Sequence, residues 1–185
     1  MNTSGYLEAV LAELKEASTL VSTEQTESLV EAILSAKKVF VAGAGRSGFM
    51  LKSFAMRMMH MGIDAYVVGE TVTANFEKDD LLIIGTGSGE TKGLISIAEK
   101  AKSIGGNVIV VTIFPESTIG KIADASIKLP GSPKDKTNSD FKTIQPMGSL
   151  FEQLMLLTLD SVILKYMEVR NLDSNTMYGK HANLE

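Results

Sequence analysis

Two glycine-rich segments contain the residue types that bind anions. The first is residues 43–48 (Gly-Ala-Gly-Arg-Ser-Gly), the second is residues 85–92 (Gly-Thr-Gly-Ser-Gly-Glu-Thr-Lys), and each follows an apolar run. Glycine allows a tight turn and lets an anion approach backbone N–H groups, which form a positive end at the start of a helix. Hydroxyls of Ser47, Ser88 and Thr91 add donors to these groups. Together the segments predict a site for a phosphomonoester.

The first segment also fits the dinucleotide fingerprint Gly43-x-Gly45-x-x-Gly48, with Glu70 at the end of the next apolar run as a ribose ligand. That pattern alone would indicate a nicotinamide-dependent oxidoreductase. Two helical stretches precede it, however, and 185 residues leave no room for a substrate domain. Neither segment contains the Gly-Lys-Ser/Thr of a nucleotide-binding P-loop. Tight turns without a ligand are the remaining alternative, and two such loops on one sheet favour binding.

Short apolar runs alternate with helical stretches along the chain. The β-rich runs are Val39–Ala42, Ala65–Val68, Leu81–Ile84, Val108–Thr112 and Ser126–Leu129. The helical stretches between and after them are Ser47–Met61, Thr91–Ile104, Ser117–Ala123 and a long segment ending near Arg170. This alternation predicts an α/β fold with a five-stranded parallel sheet flanked by helices on both faces. Both glycine segments would then meet at the carboxyl edge of the sheet.

The length of 185 residues predicts a single domain. Its expected parts are N-terminal helices in residues 1–36, a glycine-loop core in 37–130, a C-terminal helix in 147–170 and a tail without a clear element in 171–185. Ser22–Gln25 has the pattern of a capping box. The polar connection Pro130–Pro146 has no periodicity, which is typical of a functional or disordered segment.

Composition restricts the possible chemistry. The chain has no cysteine and two histidines, His60 and His181, which excludes thiolate chemistry and argues against a metal site. We interpret His60 as a favourable charge at a helix end. The net charge of −4 argues against a nucleic-acid partner. No secretory signal and no apolar run of bilayer length is visible, so a cytoplasmic protein without a membrane partner is expected.

Three further stretches combine with the glycine segments to give a family resemblance: Val67–Thr71, Pro146–Glu152 and His181–Glu185. Over nearly the whole chain the sequence resembles the sugar isomerase (SIS) family, and within it the 6-phospho-3-hexuloisomerases. The resemblance implies interconversion of arabino-3-hexulose 6-phosphate and fructose 6-phosphate through an enediol(ate), in the ribulose monophosphate route of formaldehyde fixation. It implies no metal or cofactor. We expect a homodimer or homotetramer, for which the amphipathic N-terminal helices and the apolar stretch Leu150–Leu164 offer surfaces, although each can equally be ordinary core.

The resemblance also implies roles for individual residues. Glu152 matches the catalytic base, and His181 matches a residue for ring opening or proton transfer, with the site of a neighbouring subunit as one place where it can act. The implied substrate contacts are the hydroxyls of Ser47, Ser88 and Thr91 and backbone N–H groups in the stretch Gly87, Ser88, Gly89, Glu90, Thr91 and Lys92. The charge of Arg46 in the first glycine segment suggests a further contact.

Structural alternatives remain open for these residues. Ser149-x-x-Glu152 is also a capping-box pattern, and Ser or Thr at the start of a helix is commonly a cap. Arg46 can pair with a surface carboxylate, and His181 can lie in a solvated terminus. Two alternative functions also remain: another SIS-fold phosphosugar isomerase, such as arabinose 5-phosphate isomerase, and a non-catalytic sugar-phosphate-binding regulator.

Overall fold

The computed structural model describes residues 1–132 and 141–184. The helices are α1 (Thr3–Ser18), α2 (Thr23–Ser35), α3 (Gly45–His60), α4 (Lys92–Ile104), α5 (Thr118–Ile122), α6 (Ser149–Arg170) and α7 (Ser174–Tyr178). The strands are β1 (Val39–Gly43), β2 (Ala65–Val67), β3 (Leu81–Gly85), β4 (Asn107–Thr112) and β5 (Ala125–Lys128). None of the described helices combines the length and apolar character needed to cross a membrane.

The five strands form one parallel sheet in the order β2-β1-β3-β4-β5. Residues on both faces of β1, β3 and β4 are buried, because helices cover the sheet on both sides. The predicted five-stranded parallel sheet is confirmed, and every strand end lies within one residue of its expected position.

Alternating strand residues build two cores. Val41 and Ile83 point into the core beneath α1, α2, α3 and α6. Phe40 and Ile84, their neighbours in sequence, point to the opposite face, where α4 and α5 pack. The alternation follows from the two-residue period of a strand. Four helices cover one face of the sheet, and two cover the other.

The strand order changes direction between β1 and β3. The chain leaves β1 toward the edge strand β2, and it leaves β3 toward β4 on the other side. Gly43 and Gly85, the last residues of β1 and β3, are paired across the two strands. The loops that follow them therefore diverge from adjacent points, which is where sheets of this kind bind ligands.

Helix α2 begins at a cap that is only half of the predicted box. The Ser22 hydroxyl accepts a hydrogen bond from the Gln25 N–H at 3.3 Å. The Gln25 side chain does not return to Ser22, because its oxygen accepts from the Lys128 N–H at 2.9 Å. Gln25 thus links α2 to the edge strand β5.

The C-terminal tail contains a helix that the sequence pattern did not indicate. The Asp173 carboxylate accepts from both the N–H and the hydroxyl of Thr176 at 2.7 Å, and this cap starts α7. The expectation of a tail without an element is therefore wrong for residues 174–178. Glu185 and residues 133–140 of the predicted polar connection lie outside the described residues.

Candidate active site

A pocket of about 310 Å³ lies at the crevice where β1 and β3 end. It is lined by residues from both glycine segments and from the start of α6, with two residues that follow β4 and β5: Ala44, Gly45, Ser47, Gly85, Thr86, Gly87, Ser88, Thr91, Leu94, Ile113, Ser132, Gly148, Phe151 and Glu152. The sequence prediction that the two glycine segments share one site agrees with this placement.

Three helices begin at the pocket, and they differ from the others in how they begin. Within residues 1–132 and 141–184, no side-chain hydrogen bond caps the N-termini of α3, α4 or α6. The remaining four helices each have a capping side chain, from Asn2, Ser22, Ser117 or Asp173. A helix start without such a cap leaves backbone N–H groups free for an anion. The uncapped ends are those that surround the pocket.

The first glycine segment depends on close backbone approach. Gly45 has φ +58°, and a Cβ there would meet no atom within 4 Å, so its open side faces free space. A Cβ on Gly48 would lie 2.7 Å from the Gly43 carbonyl oxygen, so only glycine lets α3 start this close to β1. The glycines at this turn therefore serve both the packing of α3 and the exposure of its first N–H groups.

The second segment is held from inside by Thr86, which is buried. Its hydroxyl accepts from the Gly89 N–H at 3.2 Å. Gly89 has φ +67°, and a Cβ there would collide with the Ser117 side chain. Thr86 also lines the pocket, although sequence reasoning did not select it. Its position between Gly85 and Gly87 is the sequence pattern that could have indicated a pocket residue.

Glu90 has a structural partner outside the pocket. Its carboxylate accepts from the N–H and the hydroxyl of Thr118, both at 2.8 Å, at the start of α5. These hydrogen bonds, the backbone one first, lower the pKa of Glu90. Lys92 is exposed, and neither residue lines the pocket. The structure therefore gives Glu90 a role in joining the second glycine segment to α5.

Glu152 and Arg46 form an ion pair beside the pocket. Arg46 Nε lies 2.6 Å from Glu152 Oε2, and the Glu152 side chain is 8% exposed whereas that of Arg46 is 59% exposed. Glu152 lines the pocket and Arg46 does not. The partner of Arg46 is thus a buried carboxylate rather than the surface carboxylate expected in the structural alternative.

The capping-box interpretation of Ser149 and Glu152 is wrong. The N-cap of α6 is Gly148, and Ser149 is the first residue inside the helix. The Glu152 N–H donates to the Gly148 carbonyl oxygen at 3.0 Å, so it is already paired within the first turn. The Glu152 side chain is therefore free of capping and turns toward Arg46 and the pocket.

His181 lies at the far end of α3 from the pocket. Its ring stacks on His60, with ring centroids 5.4 Å apart, at the end of α3 opposite to Ser47. With a rise of 1.5 Å per residue, that end is about 20 Å from the pocket. The structure therefore does not bring His181 and Glu152 of the same chain together.

The interpretation of His60 as a helix-end charge is also wrong. His60 is buried, and burial, Arg57 and His181 together lower its pKa. Its ring therefore stays neutral at neutral pH. Arg57, whose Nη1 lies 3.3 Å from His60 Nδ1, supplies the positive charge in this last turn.

The pocket also contains groups that the sequence did not reveal. Ile113 and Phe151 form apolar walls, and Ser132 adds a buried hydroxyl. Ser132 follows the last strand in a segment without periodicity, so no local pattern distinguishes it. Among residues 1–132 and 141–184, no group of three or more potential metal-ligating side chains occurs.

A family model for the SIS domain matches residues 32–157, which span the sheet, both glycine segments and Glu152. The chain belongs to the SIS domain family. The matched region ends within α6, so the family pattern covers each element that lines the pocket.

Relatives of this SIS domain extend the similarity over the whole chain. A 3-hexulose-6-phosphate isomerase from Bacillus subtilis is 57% identical over 185 residues and is covered completely, as is this chain. A 3-hexulose-6-phosphate isomerase from Mycobacterium gastri is 36% identical, with 97% of this chain and 89% of the relative covered. A crystal structure from Methanococcus jannaschii, from which the molecular function of 3-hexulose-6-phosphate isomerase was inferred, has a TM-score of 0.82. It is 37% identical and covers 98% of this chain and 99% of its own.

Proposed function

We propose that this protein is a 6-phospho-3-hexuloisomerase, which interconverts arabino-3-hexulose 6-phosphate and fructose 6-phosphate. The observation that carries the proposal is the 57% identity, over the full length of both chains, to the B. subtilis 3-hexulose-6-phosphate isomerase. The reaction moves a carbonyl group between C3 and C2 through an enediol(ate). It requires a fixed phosphate, a base and donors for the developing enolate oxygen. Its place in formaldehyde fixation is part of the same proposal.

The phosphate is proposed to bind at the uncapped starts of α3 and α4. Both helices point free N–H groups and the positive ends of their dipoles at the pocket. Ser47, Ser88 and Thr91 line the same pocket and add hydroxyl donors. A phosphate bound there would hold the sugar chain in one place relative to α6.

Glu152 is proposed as the base that removes the proton from C2 and returns it to C3. It is the carboxylate that lines the pocket within the described residues, and it lies on α6, whereas the two glycine segments lead into α3 and α4. The ion pair with Arg46 holds the carboxylate in a fixed direction, which proximity catalysis requires. We propose that the exposed part of the Arg46 guanidinium contacts a substrate hydroxyl or the phosphate at the rim of the pocket.

The test is turnover of arabino-3-hexulose 6-phosphate by the purified protein, measured as formation of fructose 6-phosphate without added metal. We expect isomerisation in both directions, because the reaction only redistributes hydrogen within the sugar. Arabinose 5-phosphate serves as the comparison substrate. Preference for the pentose phosphate would instead indicate a different SIS-fold isomerase, and binding without turnover of either sugar would indicate a regulator.

The proposal includes a homodimer or homotetramer. Pairs of large apolar side chains are exposed along three helices: Leu7 and Leu11 on α1, Phe49 and Met56 on α3, and Leu157 and Leu164 on α6. Exposed apolar surface of this kind favours association. We propose that assembly brings His181 toward the pocket of a neighbouring subunit, and that the protein acts in the cytoplasm, where charged sugar phosphates are retained.

The solution mass tests the assembly. We expect light scattering to give about two or four times the chain mass of 19.9 kDa, because a single chain leaves these apolar faces in water. A mass that stays at one chain over a wide range of protein concentration would contradict the assembly. It would also remove His181 from any proposed role in the site.

A further inference from the structure

Glu13, on α1, is bound to the segment that leads into α6. Its Oε2 accepts from the Thr143 hydroxyl at 2.7 Å and from the Gln145 side-chain amide at 3.0 Å. Its Oε1 accepts from the Ile144 N–H at 2.7 Å. One carboxylate therefore holds three consecutive residues from a position outside the pocket.

These hydrogen bonds are made to a charged group. Burial alone would raise the pKa of Glu13, but the hydrogen bonds from Thr143, Gln145 and the Ile144 N–H outweigh burial and place the pKa below its ordinary value. Glu13 is therefore ionised at neutral pH. Hydrogen bonds to an ionised acceptor are shorter and stronger than neutral ones, so the segment is held firmly.

Few residues separate the segment held by Glu13 from the proposed base, Glu152. Gln145 is buried, and its N–H also donates to the Thr143 hydroxyl at 3.0 Å. Met147 follows with φ 57°, a left-handed conformation that a residue with a side chain seldom adopts. Gly148 then occupies the N-cap position of α6 without a side-chain cap, and Glu152 lies in the first turn of the helix.

The left-handed turn at Met147 needs restraint on both sides. A backbone conformation of this kind persists only where the surrounding structure determines it. On its C-terminal side the restraint is α6, whose Leu150 and Phe151 are buried in the core. On its N-terminal side the restraint is the set of hydrogen bonds to Glu13. α1 itself packs against α6, so Glu13 and the helix that it orients belong to one packed unit.

We propose that Glu13 is a positioning residue for the isomerase reaction. By fixing Thr143–Gln145 it sets the turn that starts α6, and so it sets the direction in which Glu152 and the first N–H groups of α6 meet the substrate. The inference rests on the proposed function, because Glu152 is the base only if the protein is an isomerase.

The test compares Glu13→Gln, Glu13→Ala and the matched control Glu16→Gln, which changes an exposed glutamate on the same helix. Glutamine has the size of glutamate but presents an NH2 group to one of the donors, so it keeps part of the anchor, whereas alanine keeps none. We expect kcat to fall about tenfold in Glu13→Gln and further in Glu13→Ala, because small misplacements of a catalytic group are costly. KM should change less than about threefold, since the starts of α3 and α4 are untouched.

Hydrogen–deuterium exchange supplies a readout that does not depend on turnover. In Glu13→Gln we expect faster exchange of the backbone N–H groups of residues 147–152, with no change in α4. Unchanged exchange there, or an unchanged kcat, would overturn the positioning role. A fall in kcat that is fully explained by a lower melting temperature would also overturn it. If the wild type itself has no turnover, the proposed function fails, and the exchange measurement still decides whether Glu13 orders the start of α6.

Discussion

Replacing Glu152 by glutamine is expected to lower kcat by about 10²- to 10⁴-fold, because glutamine cannot accept the substrate proton. The fold should be retained. α6 does not use this side chain as a cap, and the Arg46 partner is 59% exposed, so water can solvate it when the charge of Glu152 is removed. Steady-state kinetics in both directions and a thermal melt measure the two effects.

Glu168→Gln is the matched control for this experiment, because Glu168 is an exposed residue of the same helix whose ion pair with Lys165 lies at the surface. A surface pair of this kind contributes about 0–1 kcal/mol, so kcat and melting temperature should stay close to the wild type. If Glu152→Gln keeps the wild-type kcat, Glu152 is not the base. The proton acceptor would then have to come from outside the group of residues that line the pocket.

Replacing Thr91 by valine is expected to raise KM about 10- to 100-fold with a much smaller effect on kcat. Valine has nearly the same shape but no hydroxyl, and a hydrogen bond to a charged group contributes about 1.5–3 kcal/mol. Thr91 makes no side-chain cap to α4, so the substitution should leave the start of the helix in place. Kinetics over a range of substrate concentration measure the change.

Ser103→Ala, which removes a hydroxyl from the exposed end of the same helix, provides the comparison and should leave KM unaltered. A complementary measurement is competition by inorganic phosphate, which should inhibit the wild type more strongly than Thr91→Val. If KM and phosphate inhibition are the same in both proteins, the phosphate lies away from α4. The proposed site at the two helix starts would then be wrong.

The sheet could be predicted because its information is local. β1 and β3 are runs of apolar residues that end in glycine, and a parallel sheet has to bury such runs on both faces. The position of Ser47 and Thr91 at one pocket followed from the same reasoning, because loops at the carboxyl ends of neighbouring parallel strands lie together.

The features that could not be predicted depend on contacts between distant parts of the chain. Ser149 and Glu152 fit a capping box locally, but α6 begins at Gly148 after a left-handed turn that no local pattern indicates. The pairing of Arg46 with Glu152 is equally invisible in the sequence, since it joins the start of α3 to the start of α6. The position of His60 at a helix end favours a charge, but its ring is buried and stacks on His181, which lies 121 residues later in the chain.

The uncapped starts of α3 and α4, where the phosphate is proposed to bind, have a consequence for how this site can evolve. Their donors are main-chain N–H groups, which every amino acid except proline supplies. Substitution of the surrounding side chains can therefore alter which sugar is accepted without deleting the groups proposed to bind the phosphate. If the proposed site is correct, proteins with this fold can keep the same main-chain phosphate contacts while the side chains around the sugar change.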